Sequence, residues 1–202
     1  MVKNIVFDIG RVLVDYDWES YLDSFGFSPE VRARVAAAVF QNKDWGELDR
    51  GAIPEEEVLA RFIAKAPEVE TEIRKVWDHV FETIHERPYP PRWIQTLKKR
   101  GFGVYYLSNY SWRGCKDTKE ILDTFVPLMD GGIFSCEVEL IKPDSAIYRT
   151  FVEKFGLWPE ECLFVDDIPA NVEGARSIGM RAEVFTTAEE VWKLLEALPD
   201  PQ

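Results

Sequence analysis

The sequence predicts an α/β fold: a doubly wound parallel sheet with a small helical domain inserted after the first strand. Three features predict it. Short apolar runs that do not alternate recur along the chain, each ending in polar residues. Amphipathic helical patterns separate the later runs. One long stretch, from about Tyr16 to Tyr89, breaks the alternation and reads as helix throughout.

The first run, Ile5-Val6-Phe7, ends at Asp8. Its β-branched and aromatic content without alternation suits a strand buried on both faces. In the stretch that follows, Pro29 and Pro54 fall near helix starts, and Glu55, Glu56 and Glu57 occupy a first turn, where the helix dipole favours anions. Pro88, Pro90 and Pro91 then punctuate the chain. The expectation is a core of residues 1–15 and 90–202, with residues 16–89 as a helical insertion over the sheet edge. Trp93, Ile94 and Leu97 mark the next helix; Lys98, Lys99 and Arg100 complement the negative end of its dipole, and Gly101 stops it. Val104 to Leu107, ending at Ser108, reads as a second buried strand. Ile147, Tyr148, Phe151, Val152 and Phe155 recur at helical spacing, with Asp144 as the N-cap and Gly156 as the stop. Cys162 to Val165 is a third strand, ending at Asp166-Asp167. Val172, Ala175 and Ile178 form a helix that Gly179 ends, Met180–Phe185 a further strand, and Ala188–Leu198 a closing helix. Strand–helix alternation of this kind implies a parallel sheet covered by helices. Ligands of such sheets bind beyond the carboxyl ends of the strands, where Asp8, Ser108, Asp166 and Asp167 fall.

Composition narrows the function. A hydrophobic fraction of 46% excludes a disordered chain. A net charge of −12 sets the protein against nucleic acid and anionic membranes. Small anions remain as ligands wherever a local cation reverses the field. Cys115, Cys136 and Cys162 are odd in number and widely spaced, so neither a disulfide framework nor a zinc site is expected. No signal-peptide stretch and no run approaching ~20 apolar residues occurs. The expectation is a cytoplasmic protein, monomer or homodimer, with reduced thiols.

Four segments carry the chemistry: Val6-Phe7-Asp8-Ile9-Gly10-Arg11-Val12-Leu13, Tyr106-Leu107-Ser108-Asn109, Ile141-Lys142-Pro143-Asp144, and Phe164-Val165-Asp166-Asp167 with Asn171 following. Their order, spacing and placement after strands resemble the four motifs of the haloacid dehalogenase (HAD) superfamily. The similarity covers nearly the whole chain, and the insertion falls where that superfamily carries a helical cap. Within it, the sequence looks like the branch of bacterial glucose-1-phosphate phosphatases. The resemblance implies a magnesium-dependent phosphohydrolase acting on a small phosphorylated metabolite, with sugar phosphates the expected class.

The residue chemistry agrees. A carboxylate that first takes the phosphoryl group splits hydrolysis into two easier steps. Two anions must then meet, which a divalent cation and an ammonium group make possible. Asp8 is the expected nucleophile. Asp8, the Gly10 carbonyl and Asp167 would offer oxygens to Mg2+, which favours them. Asp166 would be an extra ligand or an outer partner. Lys142 would hold phosphate and Asp8 together, and Ser108 would donate to a phosphate oxygen, helped by backbone N–H groups near Asn109. Bland alternatives are a helix cap for Asp8, a turn for Ser108-Asn109 and a solvated loop for Lys142. For Asp166-Asp167 the alternative is a solvated turn, although adjacent carboxylates repel unless a cation lies near. His79 and His85 read as structural.

The chain departs from the pattern at Gly10, where most superfamily phosphatases carry a second Asp as acid and base. Glycine keeps the carbonyl but transfers no proton, and losing such help costs ~10²–10⁴-fold in rate. The outcomes are a slower phosphatase, substrates that need little protonation, or no turnover. Arg11 either binds phosphate or points to solvent. The run Asp44–Gly51 reads as a loop in which Trp45 either stacks on a sugar ring or packs between helices. Two other functions compete: a 2-haloacid dehalogenase, which needs no metal, and a binding module whose catalysis has lapsed.

Overall fold

The computed structural model describes residues 1–201. Its centre is a parallel five-stranded sheet in the order β5 (Gly131–Phe134), β4 (Gly103–Ser108), β1 (Asn4–Phe7), β6 (Cys162–Asp166), β7 (Arg181–Val184). The chain moves outward from β1 through β4 to β5, then returns to the other side of β1 for β6 and β7. This reversal opens a crevice beyond the carboxyl end of β1, the place where such sheets bind ligands.

The runs lack alternation because both faces are covered. Ile5 and Phe7, with Val104, Tyr106, Leu163 and Val165, enter one apolar core beside α6 (Pro90–Lys99) and α11 (Ala188–Glu196). Val6, Leu107, Ile133 and Phe164 point the other way, against α9 (Ser145–Phe155) and α10 (Pro169–Ser177). Successive residues on a strand face opposite sides, so a sheet buried on both sides requires apolar residues at every step. The expected stops operate: the Asp144 side chain accepts from Ala146 N at 2.9 Å, and Gly156 ends α9 at φ 64°.

Between the first two sheet strands lie α1 (Trp18–Asp23), α2 (Pro29–Val39), α3 (Asp44–Arg50), α4 (Glu55–Lys65) and α5 (Glu70–Asp78). Two short helices, α7 (Trp112–Asp117) and α8 (Lys119–Leu122), follow β4. The helical reading of residues 16–89 needs two corrections. Ile84–Glu86 is a strand, β3, paired antiparallel with β2 (Val14–Tyr16), so the chain enters and leaves the helical segment on a two-stranded ribbon, and the expected boundary at residue 15 falls inside β2. Strands of three residues are too short to show a period. The run Asp44–Gly51 is also not a loop: it is α3, closed by Gly51 in the left-handed conformation at φ 71°. Among the described residues, no helix is long and apolar enough to cross a membrane.

Candidate active site

The strand register fixes the site. Phe7 pairs with Tyr106 on β4 and with Val165 on β6, so Asp8, Ser108 and Asp166 emerge at one sheet edge. The Asp8 amide donates to the Val165 carbonyl at 2.8 Å, which holds the residue against β6. Asp8 is 7% exposed, Ser108 1%, Lys142 3% and Asp166 not at all. Lys142 reaches the edge from the segment before α9. Its Nζ lies 2.8 Å from Asp8 Oδ1 and 2.6 Å from Asp166 Oδ2, and 5.3 Å from the centre of the Phe164 ring.

Burial dominates the electrostatics. It pushes the Asp8 carboxyl up to about 7, with Asp166 adding repulsion and Lys142 and Ser108 opposing. For Lys142 burial disfavours the ammonium, but Asp8 and Asp166 outweigh it and the net direction is upward, so the group stays charged. Asp167 is raised, by burial first and by Asp166 next, with Arg11 and Lys142 opposing.

Hydrogen bonds set the geometry. Asp166 accepts from the Ile168 amide at 2.8 Å, from Asn171 Nδ2 at 3.0 and 3.1 Å, and from Lys142. Both of its oxygens are engaged, which fits the outer role better than that of a direct ligand. Asn109 clamps the Lys142 backbone: its Nδ2 donates to the Lys142 carbonyl at 3.1 Å, and the Lys142 amide donates to its Oδ1 at 2.8 Å. Asn109, near which backbone N–H groups are expected to help hold phosphate, thus uses its side chain to position the lysine, and the residue lines the cleft.

The same residues fit a divalent cation. Asp8, Asp166 and Asp167 each offer a carboxylate oxygen within 4.8 Å of the others. Asp8 Oδ1 is buried without a hydrogen-bond partner; the Lys142 ammonium is close but not directed at it. Three clustered carboxylates facing one lysine leave negative charge in excess. An orphaned oxygen among hard oxygen donors is what magnesium or a similar ion binds. Gly10 lies at the same cleft, and a Cβ there would meet nothing within 4 Å. Neither space nor a positive φ demands glycine at this position.

Over these groups lies a cleft of about 390 Å³. Asp8, Gly10, Lys142 and Asp167 line it together with Trp18, Phe40, Trp45 and Asp49 from the helical segment. Trp45 belongs both to this wall and to the helical packing behind it. It packs on Phe40 and Phe62, with ring centres 5.6 and 6.4 Å away, and also contributes to the cleft wall. Arg11 is exposed, sits at φ 57°, and places its guanidinium 5.4 Å from the centre of the Tyr16 ring. It also lines a more open depression of about 570 Å³ that shares Asp167 and Tyr16 with the cleft.

Asp49 is the functional candidate that the sequence reading missed. Burial, then the charge of Asp8, pushes its carboxyl up to about 7, against Lys142. Its spacing gives only part of the signal: Asp49 stands four residues after Trp45, which on a helix places both on one face but does not say where that face docks.

The model of the haloacid dehalogenase-like hydrolase family matches residues 2–179. The chain belongs to that family. Phosphatase MT3486 of Mycobacterium tuberculosis is 26% identical over 193 residues, covering 90% of this hydrolase and 86% of the relative. Flavin mononucleotide hydrolase 1 of Arabidopsis thaliana is 28% identical over 160 residues, 76% of this chain and 61% of that protein. Drimenol cyclase drtB of Aspergillus calidoustus is 29% identical over 208 residues, covering 96% of this chain. The hydrolase spans only 36% of the length of that cyclase. A HAD family enzyme of Bacteroides thetaiotaomicron, solved with magnesium and inorganic phosphate, superposes with a TM-score of 0.69 at 19% identity, covering 96% of this chain and 99% of that one. At that identity the likeness shows the fold.

Proposed function

We propose that this hydrolase is a magnesium-dependent phosphomonoesterase that frees phosphate from a small metabolite by way of an aspartyl-phosphate on Asp8. The observation that carries the reading is the buried convergence of Asp8, Lys142, Asp166 and Asp167 at the end of β1. Asp8 attacks phosphorus, and the bond to the leaving oxygen breaks with its electron pair on that oxygen. Water then attacks the aspartyl-phosphate, the bond to the Asp8 oxygen breaks, and inorganic phosphate leaves. Lys142 stays protonated and offsets the charge of both anions. Held by Asp8, the Gly10 carbonyl and Asp167, magnesium would supply the positive charge that lets the phosphate approach a carboxylate. Ser108 would donate to a phosphate oxygen, and Asp166, through Lys142 and Asn171, keeps the frame rigid.

Residues 16–89 act in this reading as a cap that shapes the substrate end of the cleft. We take sugar phosphates as the first class, since Trp45 and Phe40 put aromatic surface in the cleft wall. The same aromatic wall also suits esters with apolar or aromatic groups, and among relatives this is the chemistry named for flavin mononucleotide hydrolase 1 and for sesquiterpene phosphatase astK of Aspergillus oryzae. Three free cysteines fit a reducing cytoplasm.

The test is phosphate release by purified protein with saturating magnesium. The panel holds sugar phosphates, flavin mononucleotide, prenyl phosphates and 4-nitrophenyl phosphate. Release is expected, and Asp8→Asn should abolish it without altering the fold. Silence across the panel would overturn the reading. Halide release from a 2-haloacid that survives a chelator would replace it with the dehalogenase, which also uses Asp8 but needs no metal.

A further inference from the structure

A phosphate ester of an ordinary alcohol leaves poorly as an alkoxide, so a proton must reach the leaving oxygen. Position 10 supplies none, although a side chain there would have room. Three carboxylates line the cleft: Asp8, Asp49 and Asp167. Asp8 and Asp167 belong to the metal cluster; Asp49 does not. Among the described residues, no ion pair or hydrogen bond engages the Asp49 carboxylate, in contrast to the nearby helix residues Asp44 and Glu47, which pair with Lys65 and Arg50. We propose that Asp49, carried into the cleft by α3 of the helical segment, is the general acid and base of this hydrolase, doing the work for which Gly10 has no side chain. The inference rests on the phosphomonoesterase reading above.

The placement of Asp49 is built, not incidental. Its peptide carbonyl accepts from Ser135 Oγ at 2.5 Å, which ties the last turn of α3 to the segment after β5. Two residues on, a Cβ at Gly51 would lie 2.8 Å from Cys136 Cβ, so the end of the helix sits directly on the core. The titratable groups around Asp49 are Asp8 and Lys142 at the sheet edge, Tyr16 on β2, Tyr110 after β4 and Cys136 after β5. Both tyrosines are raised far above their ordinary value, chiefly by burial, and stay neutral. Burial and Asp8 hold Asp49 near neutrality, where a carboxyl both gives and takes a proton.

The proton balance closes. In the first step protonated Asp49 gives its proton to the leaving oxygen as the P–O bond breaks, and Asp8 gains the phosphoryl group. In the second, the Asp49 carboxylate takes a proton from water as the water oxygen bonds to phosphorus and the bond to Asp8 breaks. The sum is ester plus water to alcohol plus phosphate, with both aspartates restored.

The test is the first turnover of Asp49→Asn, measured by rapid quench with saturating magnesium. With 4-nitrophenyl phosphate, whose leaving group needs no proton, the burst of nitrophenol should keep the wild-type rate, followed by a slowed steady state. With an alkyl or sugar phosphate the first turnover itself should fall by ~10²–10⁴-fold, and Asp49→Glu should recover part of the loss. Equal losses in the burst for both leaving groups would overturn the assignment in favour of a positioning role. No loss with the alkyl ester would overturn it outright. A wild-type enzyme that releases no phosphate from either ester would instead remove the phosphomonoesterase reading, and this inference with it.

Discussion

Lys142→Met should destabilise the protein by about 3–5 kcal/mol near pH 8 and by about 1 kcal/mol less near pH 5. Lys142 is 3% exposed, and its ammonium lies 2.8 Å from one buried carboxylate and 2.6 Å from another. Methionine fills nearly the same volume beside Phe164, so cavity formation contributes little and the loss is electrostatic. Asp166 keeps its bonds from Ile168 and Asn171, whereas Asp8 loses the chief group that favours its charge. The sign follows from Asp8, whose carboxyl is raised in the folded protein from its ordinary 3.8 to about 7. A group raised on folding contributes stability at low pH and loses it as pH climbs through the folded value. Removing the lysine raises that value further, so the two proteins diverge with pH only above about 7, by about 1.4 kcal/mol per pH unit, and the rest of the penalty is present at either pH. For a chain of this length each kcal/mol moves Tm by about 2–4 °C, so a fall of roughly 6–20 °C is expected near pH 8. Urea unfolding followed by tryptophan fluorescence, with a chelator present to keep metal from replacing the ammonium, measures it. The double variant Lys142→Met/Asp8→Asn should regain at least half of the loss. A single variant within 1 kcal/mol of wild type, or one equally weakened at both pH values, would refute the electrostatic account.

Magnesium at about a hundred times its dissociation constant should stabilise the protein by about 2.7 kcal/mol, read as a rise in Tm; Asp167→Asn should remove most of that rise without lowering the metal-free Tm, because burial and Asp166 already disfavour its charge. Gly51→Ala should cost roughly 1–3 kcal/mol, since φ is 71° and the new methyl group would meet Cys136 at 2.8 Å; it should also lower kcat on alkyl phosphates in protein that remains folded, by shifting Asp49. Arg11→Gly relieves a left-handed residue worth about 1–2 kcal/mol and forfeits a cation–π contact worth about 0.5–1, so Tm should hold or rise slightly while KM for phosphate esters increases.

The central strands were legible because burial on both faces removes alternation. Ile5 and Phe7 serve one core and Val6 the other, so the run carries its own signature. The edge strand β5 has no such signature. Gly131 and Gly132 lack a side-chain pattern, and the constraint on Gly132 comes from a neighbour: the Tyr106 ring lies 2.3 Å from where a Cβ would stand. Asp8, Lys142, Asp166 and Asp167 could be read because each sits beside a strand end or a helix start, and a parallel sheet brings its carboxyl ends to one edge whatever the rest of the chain does.

Asp49 could not be read in that way. Its place depends on how one helix of the insertion docks, which is decided by a serine hydroxyl on its carbonyl and by the absence of a side chain at Gly51. Those partners, Ser135 and Cys136, stand more than eighty residues further along the chain, and no local pattern points to them. An acid at position 10 would be fixed by the nucleophile's own loop, two residues from Asp8. A carboxylate on α3 reaches the leaving group only while the helical segment is seated on the segment after β5. Proton transfer in this hydrolase thereby depends on an interface, and substitutions at Ser135 or Gly51, neither of which touches the acidic cluster, should slow esters of poor leaving groups more than aryl esters.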